Sequence, residues 1–420
     1  MRELIVIGHP GSRRTQGIVE ARRRLGQTPP LILSYRGLLQ GKESLTAVMD
    51  RLETRSYLPI LRLDSPGECF ETERGLLALG APDASSAERL DKELYPYGEA
   101  ALPEPMSVRV ASALREQRGR VVHPSQWYRG YCRLLGILTL QAEELGLSGC
   151  WWNHPADIAV MLDKRLTQQR LAGRDVPVPE QLGPPSGFCD VEALRETMKR
   201  ERVYRVFIKM ATGAGASGVV AYQLHPRTGA EVATTTLGCE TFAARPPVFY
   251  NSRKLLRYTD SRSIERVVNW LFRHGAQVER WIPKAKYQGQ VFDIRQLVMG
   301  GRACHRIARL SSTPITNLHL RAERMEADAL GLPEGVLAAV AETAEHVMQV
   351  FPRSLLSGID IVLGRHDSSP YVVDVNPYGD LLYHVRYKGD DTYTWELREA
   401  ERLLLTRRPR AEATTCQTWR

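Results

Sequence analysis

Leu4-Ile5-Val6-Ile7-Gly8 is an unbroken apolar run ending in a polar, glycine-containing turn, His9-Pro10-Gly11-Ser12, the pattern of a buried strand. A helix through about Arg24, ended by Gly26, and a second run at Pro29-Pro30-Leu31-Ile32-Leu33 then predict a βαβ opening. Its glycines lack the Gly-x-Gly-x-x-Gly spacing of a dinucleotide fingerprint. Residues 34–150 mix helical stretches and loops, with a short strand expected at 119–124 and a helix at 127–145. A helix over 163–171 is closed by Gly173, and strands at 203–209 and 219–224 flank a long glycine-containing turn. A short strand follows at 276–282, and strands at 292–299 and 303–310 form a hairpin around Gly300-Gly301, a favoured two-residue turn composition. Val336, Val340, Val347 and Phe351 make a helical stripe. No internal repeat or low-complexity tract interrupts this order.

Near the end, Gly358-Ile359-Asp360-Ile361-Val362 and Tyr371-Val372-Val373-Asp374-Val375-Asn376 read as a second hairpin. Folded symmetrically about Asp367, it sets Asp360 opposite Asp374, and strand alternation sends Asn376 to the same side. Three hard oxygen ligands on one face suit Mg²⁺ when substrate phosphates complete its shell. Two facing carboxylates also require something cationic between them. The bland alternative is a solvent-facing polar edge. The run Lys209-Met210-Ala211-Thr212-Gly213-Ala214-Gly215-Ala216-Ser217-Gly218 puts a lysine at a strand end before a small-residue loop. Backbone N–H groups of such a loop can approach phosphate oxygens, and the lysine adds a compact charge. The spacing is not that of a Walker loop, and by itself the hairpin serves a structural role equally well.

Apolar residues make up 43% and charged residues 25% of 420 positions, ordinary for a globular chain of two or three domains. The longest apolar run, Leu134 to Leu140, is too short to span a bilayer, and the N-terminus lacks a secretion signal. Seven cysteines with no Cys-x-x-Cys pair indicate neither a zinc site nor a disulfide framework, and a cytoplasmic location is expected. The net charge of +9 suits polyanionic company. The clusters Arg13-Arg14, Arg22-Arg23-Arg24 and Arg407-Arg408 read as solvated helix faces and a frayed tail, and Arg302, His305 and Arg306 as exposed turn neighbours.

The succession Asp163-Lys164, Lys209 with its loop, Val278-Glu279-Arg280-Trp281-Ile282-Pro283, Asp293-Ile294-Arg295, Arg309, Thr316-Asn317, then Asp360, Asp374 and Asn376 resembles the ATP-grasp superfamily over roughly residues 151–387. It is most similar to the branch containing the ribosomal-protein glutamate ligases. The resemblance implies an α/β fold: a βαβ-type pre-ATP-grasp domain (residues 1–155), then two α+β subdomains (156–278 and 279–403) with ATP in the cleft between them, and a disordered tail at 404–420. It implies that Lys164 and Lys209 hold the ATP phosphates and that Thr212, Gly213, Gly215, Ser217 and Gly218 form the loop closing over them. By the same resemblance Glu279, Trp281 and Ile282 belong to the hinge that reads adenine, with Glu279 accepting from its amino group. Asp360, Asp374 and Asn376 match magnesium ligands, for two ions with Mn²⁺ as a substitute. Arg295 and Arg309 match cations near the γ-phosphate and acyl substrate, and Asn317 a polar residue near the metal.

The activity so implied is ATP-dependent, ADP-forming carboxylate–amine ligation through an acyl phosphate, on small-molecule or peptide substrates. Nucleic acid and membrane partners are not expected, and oligomeric state is left open. Two positions depart from the family pattern: Asp374 stands where Glu is usual, and Met210 where Pro often follows the lysine. A catalytically lapsed ATP-binding regulator or scaffold is the alternative, against which the retained lysines and metal-type ligands argue.

Overall fold

The structure, a computed structural model, describes residues 2–52, 57–85, 103–184, 187–213, 217–316 and 322–406. The opening is the expected βαβ unit. β1 (Leu4–Gly8), the helix Arg13–Arg24 and β2 (Leu31–Ser34) are joined by β3 (Ile60–Leu63) in a parallel sheet of order β2-β1-β3. Ser12 caps the helix, its hydroxyl accepting from the Thr15 N–H at 3.1 Å. Every residue of β1 is buried, because both faces are covered. Ile5 and Ile7 enter a core with Leu134, Leu135 and Leu138 of the helix Pro124–Glu144. Leu4 and Val6 enter another with Ile18, Leu297, Leu356 and Leu397. Each such side chain contributes roughly 1.5–3 kcal/mol on burial, so this two-sided strand ties the N-terminal unit to the C-terminal part of the chain.

A second, antiparallel sheet has the order β7-β6-β5-β4-β8. It comprises β4 (Arg205–Met210), β5 (Val219–Leu224), β6 (Glu231–Glu240), β7 (Val248–Tyr258) and β8 (Ala276–Arg280). The helices Val191–Arg200 and Ser261–Arg273 cover one face. The other face presents Phe207 and Ala221 to Ile315 and Trp281. The division expected after residue 278 falls inside β8, which pairs with β4 from Ala276 to Arg280.

The third sheet contains β9 (Lys286–Tyr287), β10 (Gln290–Met299), β11 (Arg302–Ser311), β12 (Glu323–Glu326), β13 (Leu356–Leu363) and β14 (Pro370–Asn376). Its order is β12-β11-β10-β13-β14, with β9 on β10. Gly300 and Gly301, at φ 61° and 78°, form the two-residue turn between β10 and β11; only a residue without a Cβ adopts both conformations cheaply. Alternation along β10 decides what each face does. Phe292, Ile294 and Val298 pack under the helix Glu334–Val350, Leu297 and Met299 meet the N-terminal unit, and Asp293 and Arg295 are left for the opposite face.

Several expectations are corrected. Residues 119–124 make only an isolated bridge, Arg120 to Tyr250, because Pro124 starts a helix. Arg22 is buried, and Arg14 donates to the Tyr378 carbonyl at 2.9 Å, so those arginines are not simply solvated. His305 is buried, its Nε2 at 3.0 Å from the Asp390 carbonyl. Arg407, Arg408 and the rest of the expected tail beyond residue 406 lie outside the described residues.

The helix Thr392–Thr406 brings Glu396 beneath the N-terminal sheet. There Glu396 accepts from Arg62 at 2.9 Å, while Arg62 also contacts Asp64 at 3.2 Å. Burial pushes Glu396 up to about 7, with Arg62 opposing and Asp64 reinforcing. Because the folded value lies above the unfolded one, stability is full below about pH 4.5 and declines as pH rises to about 7. Glu396→Gln is therefore expected to raise the melting temperature relative to wild type at pH 8 but not at pH 5. A difference between the two proteins that is the same at both pH values would remove this account.

Candidate active site

The cleft between the second and third sheets holds a cavity of about 110 Å³ that is open to solvent. One wall carries the lysines. Asp163 caps the helix Lys164–Ala172, accepting from Arg165 N–H at 2.9 Å, and Lys164 N–H donates to Ala211 at the end of β4. That anchoring aims Lys164 across the cleft, where its ammonium meets Asp374 at 2.5 Å. Lys209, the penultimate residue of β4, reaches the Glu279 carboxylate at 2.5 Å and the Val373 carbonyl at 2.9 Å.

On the other wall, Asp360 pairs in register with Asp374, as the hairpin pattern predicts. Symmetry about Asp367 does not persist, however. Beyond that pair Ile361 faces Val372, leaving Val373 as the extra residue of a bulge. Bulges re-aim the backbone beside functional sites, and this one presents the Val373 carbonyl to Lys209. Asn376 lies one pleat further along; its amide donates to the Gly358 carbonyl at 3.1 Å, and it does not line the cleft.

The two facing carboxylates are neutralised by protein cations. Arg295 is a fork on Asp360, with the second contact at 3.1 Å, and extends to Asp380 at 3.1 Å. Gly358 leaves room for it, since a Cβ there would come within 3.2 Å of the Arg295 guanidinium. Arg309 binds Asp293 through two bonds of 2.6 and 2.9 Å and Asp360 at 3.0 Å. Burial alone raises the Asp360 carboxyl; the two guanidiniums outweigh it and hold the group down to about 2. Thr316 donates to Asp293, and Lys284 donates to Thr316 at 2.8 Å. The result is one chain of polar contacts from the hinge to Asp380.

Of the residues expected in the site, Lys164, Lys209, Gly213, Ser217, Glu279, Ile282, Arg309, Asp360 and Asp374 line the cleft. Arg295 stands behind Asp360. Trp281 backs Phe207, ring centres 4.8 Å apart, and Gly218 turns the chain at φ 66°. The Thr212 hydroxyl is buried without a partner among the described residues. Gly215 and Asn317 lie outside those residues. The Glu279 carboxylate, expected at adenine, is occupied by Lys209 and by Gln277 at 2.9 Å. Asp293 and Thr316, which belong to the sequence succession but were given no role in it, line the cleft too, as does Lys284, which was not anticipated. Asp293 could have been found from its place two residues before Arg295 on one strand face; Lys284 carried no signal.

The donor set suits a hard divalent cation: two carboxylates from adjacent strands on the cleft side. Among the described residues no three His, Cys, Asp or Glu side chains gather as a ready metal cage, so substrate oxygens would have to complete the shell. No helix is long and apolar enough to cross a membrane among the described residues.

No family model matches the sequence, and no curated protein does. Among solved structures, the macrocyclase MdnC bound with precursor peptide MdnA from Microcystis aeruginosa MRC is 12% identical, covering 97% of this chain and 100% of that one with a TM-score of 0.51. The ATP-grasp ligase PsnB with precursor peptide PsnA2 and AMPPNP is 14% identical over 96% of this chain and 98% of that one, TM-score 0.49. The D-alanine–D-alanine ligase from Bacillus anthracis with ATP is 11% identical over 96% and 98%, TM-score 0.49. At these identities the likeness is one of fold, and the chain has the mixed α/β fold of MdnC.

Proposed function

We propose that the chain is an ATP-dependent, ADP-forming carboxylate–amine ligase working through an acyl phosphate. The observation that carries this is the meeting of Lys164 and Lys209 from one wall with Asp374 and its bulge from the other, beside two arginines focused on Asp360. Adenine is read by the backbone of Arg280 to Ile282, against the apolar surface of Phe207 and Ile315. Glu279 holds Lys209 in place. The lysines exchange their protein partners for phosphate oxygens, and the loop 212–218 covers them. Asp360 and Asp374 would hold Mg²⁺, with Asn376 beside them on β14, and the ion would supply positive charge against that of the phosphates.

The substrate carboxylate attacks the γ-phosphorus, ADP leaves, and an amine then displaces phosphate from the acyl carbon to give the amide. The protein's part is positioning and charge: Arg309, steadied by Asp293, faces the transferring group, and Arg295 orients Asp360. Closure over the cleft keeps water from the acyl phosphate. The substrates are small-molecule or peptide carboxylates and amines, and the setting is cytoplasmic. An ADP-release assay against paired panels of amino acids, peptides and carboxylic acids tests the reading. A lapsed ATP-binding scaffold would release no ADP that depends on both donor and acceptor.

Asp374→Asn keeps the volume but removes one metal-type ligand and the partner of Lys164. Turnover is expected to fall by at least about 100-fold. The melting temperature should hardly move, because Asp360 loses a like-charged neighbour while Lys164 loses a carboxylate. Unchanged turnover with the same magnesium dependence would defeat the metal assignment.

A further inference from the structure

Among the described residues five cationic side chains line the cleft, and four have a carboxylate in salt-bridge contact: Lys164, Lys209, Arg280 and Arg309. Lys284 has none among the described residues; its ammonium donates to the neutral Thr316 hydroxyl at 2.8 Å. Its backbone is fixed on both sides. Pro283 accepts from Arg365, Ala285 donates to Leu363, and Lys284 bridges Gly364, so the hinge is pinned to the end of β13. A cation held rigidly in a cleft, whose one close partner among the described residues is a hydroxyl, is poised for an anion supplied from outside.

The anion's chemistry follows from position. Lys284 lies two residues beyond Ile282, about 7 Å along an extended chain, whereas Lys164 and Lys209 converge on β14 at Asp374 and Val373. Given the ATP-binding reading above, on which this rests, we propose that Lys284 is a third nucleotide lysine that binds the α-phosphate at the sugar end. The remaining phosphates belong to Lys164 and Lys209. Burial supports the idea, because it lowers the Lys284 ammonium to about 8 against the pull of Asp293, and a bound phosphate would restore the charged form.

Calorimetric titration of wild type, Lys284→Met and Lys284→Arg with adenosine, AMP, ADP and ATP tests the assignment without turnover. Lys284→Met is expected to weaken AMP, ADP and ATP alike by roughly ten- to a hundredfold. It should leave adenosine unchanged, and Lys284→Arg should recover most of the loss. Wild-type AMP affinity should also decline as pH rises past about 8, a dependence absent in Lys284→Met. Equal loss for adenosine would mean a structural role, and loss confined to ATP would place the lysine at the γ-phosphate; either overturns the proposal. Unchanged affinities in Lys284→Met overturn it while leaving the nucleotide site standing. A wild type that binds no nucleotide overturns both. Melting curves show that each variant is folded; should Lys284→Met fail, the arginine variant and the wild-type pH series still decide.

Discussion

Lys209→Ala is expected to weaken ATP binding by at least about 100-fold and to abolish turnover. Two or three charge-assisted bonds to phosphate oxygens, each worth roughly 1.5–3 kcal/mol, are lost together. The same substitution strands the Glu279 carboxylate, which is 2% exposed and pairs with Lys209 at 2.5 Å. A fall in melting temperature therefore accompanies the fall in affinity, and the two must be separated. The double variant Lys209→Met with Glu279→Gln removes both charges, keeps the volume, and leaves Gln277 a hydrogen-bond partner. It should regain most of the lost stability and none of the affinity. Calorimetry and melting curves on the three proteins decide. Wild-type affinity in the double variant would mean that the phosphates are held elsewhere.

Arg309→Met is expected to cost about 3–5 kcal/mol of stability, the largest such effect of any single change in the cleft. Arg309 is 4% exposed and serves two buried carboxylates, Asp293 and Asp360. Without it, among the described residues Asp293 keeps Thr316 and Asp360 keeps Arg295. Acid titration gives a second readout. The folded Asp360 carboxyl lies near 2, below its ordinary value of 3.8. Its contribution is thus present above about pH 4 and is lost as pH falls towards 2. The variant should lose less stability than wild type across that window, since part of the pull on Asp360 has gone. Adding Asp293→Asn should restore part of the loss by removing an uncompensated charge. A melting temperature within about 2 °C of wild type would show that the network carries little.

Mutual support among these charges also explains what could and could not be read from the chain. The apolar run 4–8, the glycine pair at 300–301 and the alternation around Asp360 and Asp374 are local signals. Their geometry depends on strand period and turn chemistry, which neighbouring residues dictate. They sufficed for the βαβ opening, both hairpins and the pairing of the two aspartates. They also fixed the requirement that something cationic face those aspartates.

Which cation does so was decided only by tertiary structure. Arg295, Arg309 and Lys164 lie 65, 51 and 210 residues from their respective partners in this cluster, and no local pattern encodes contacts across such separations. The bulge that turns Val373 towards Lys209, the capture of Glu279 by that lysine and the pairing of Lys284 with the Thr316 hydroxyl arise the same way. Each depends on two sheets closing on one another, so that a side chain's partner is set by packing between distant elements. Likewise His305 and Arg22, polar residues beside turns and helix ends, are buried because other segments dock over them. The sequence by itself determined which elements form and which residue types share a face; the closure of the cleft decided which charges meet, because electrostatic partnership depends on distance in space and not along the chain.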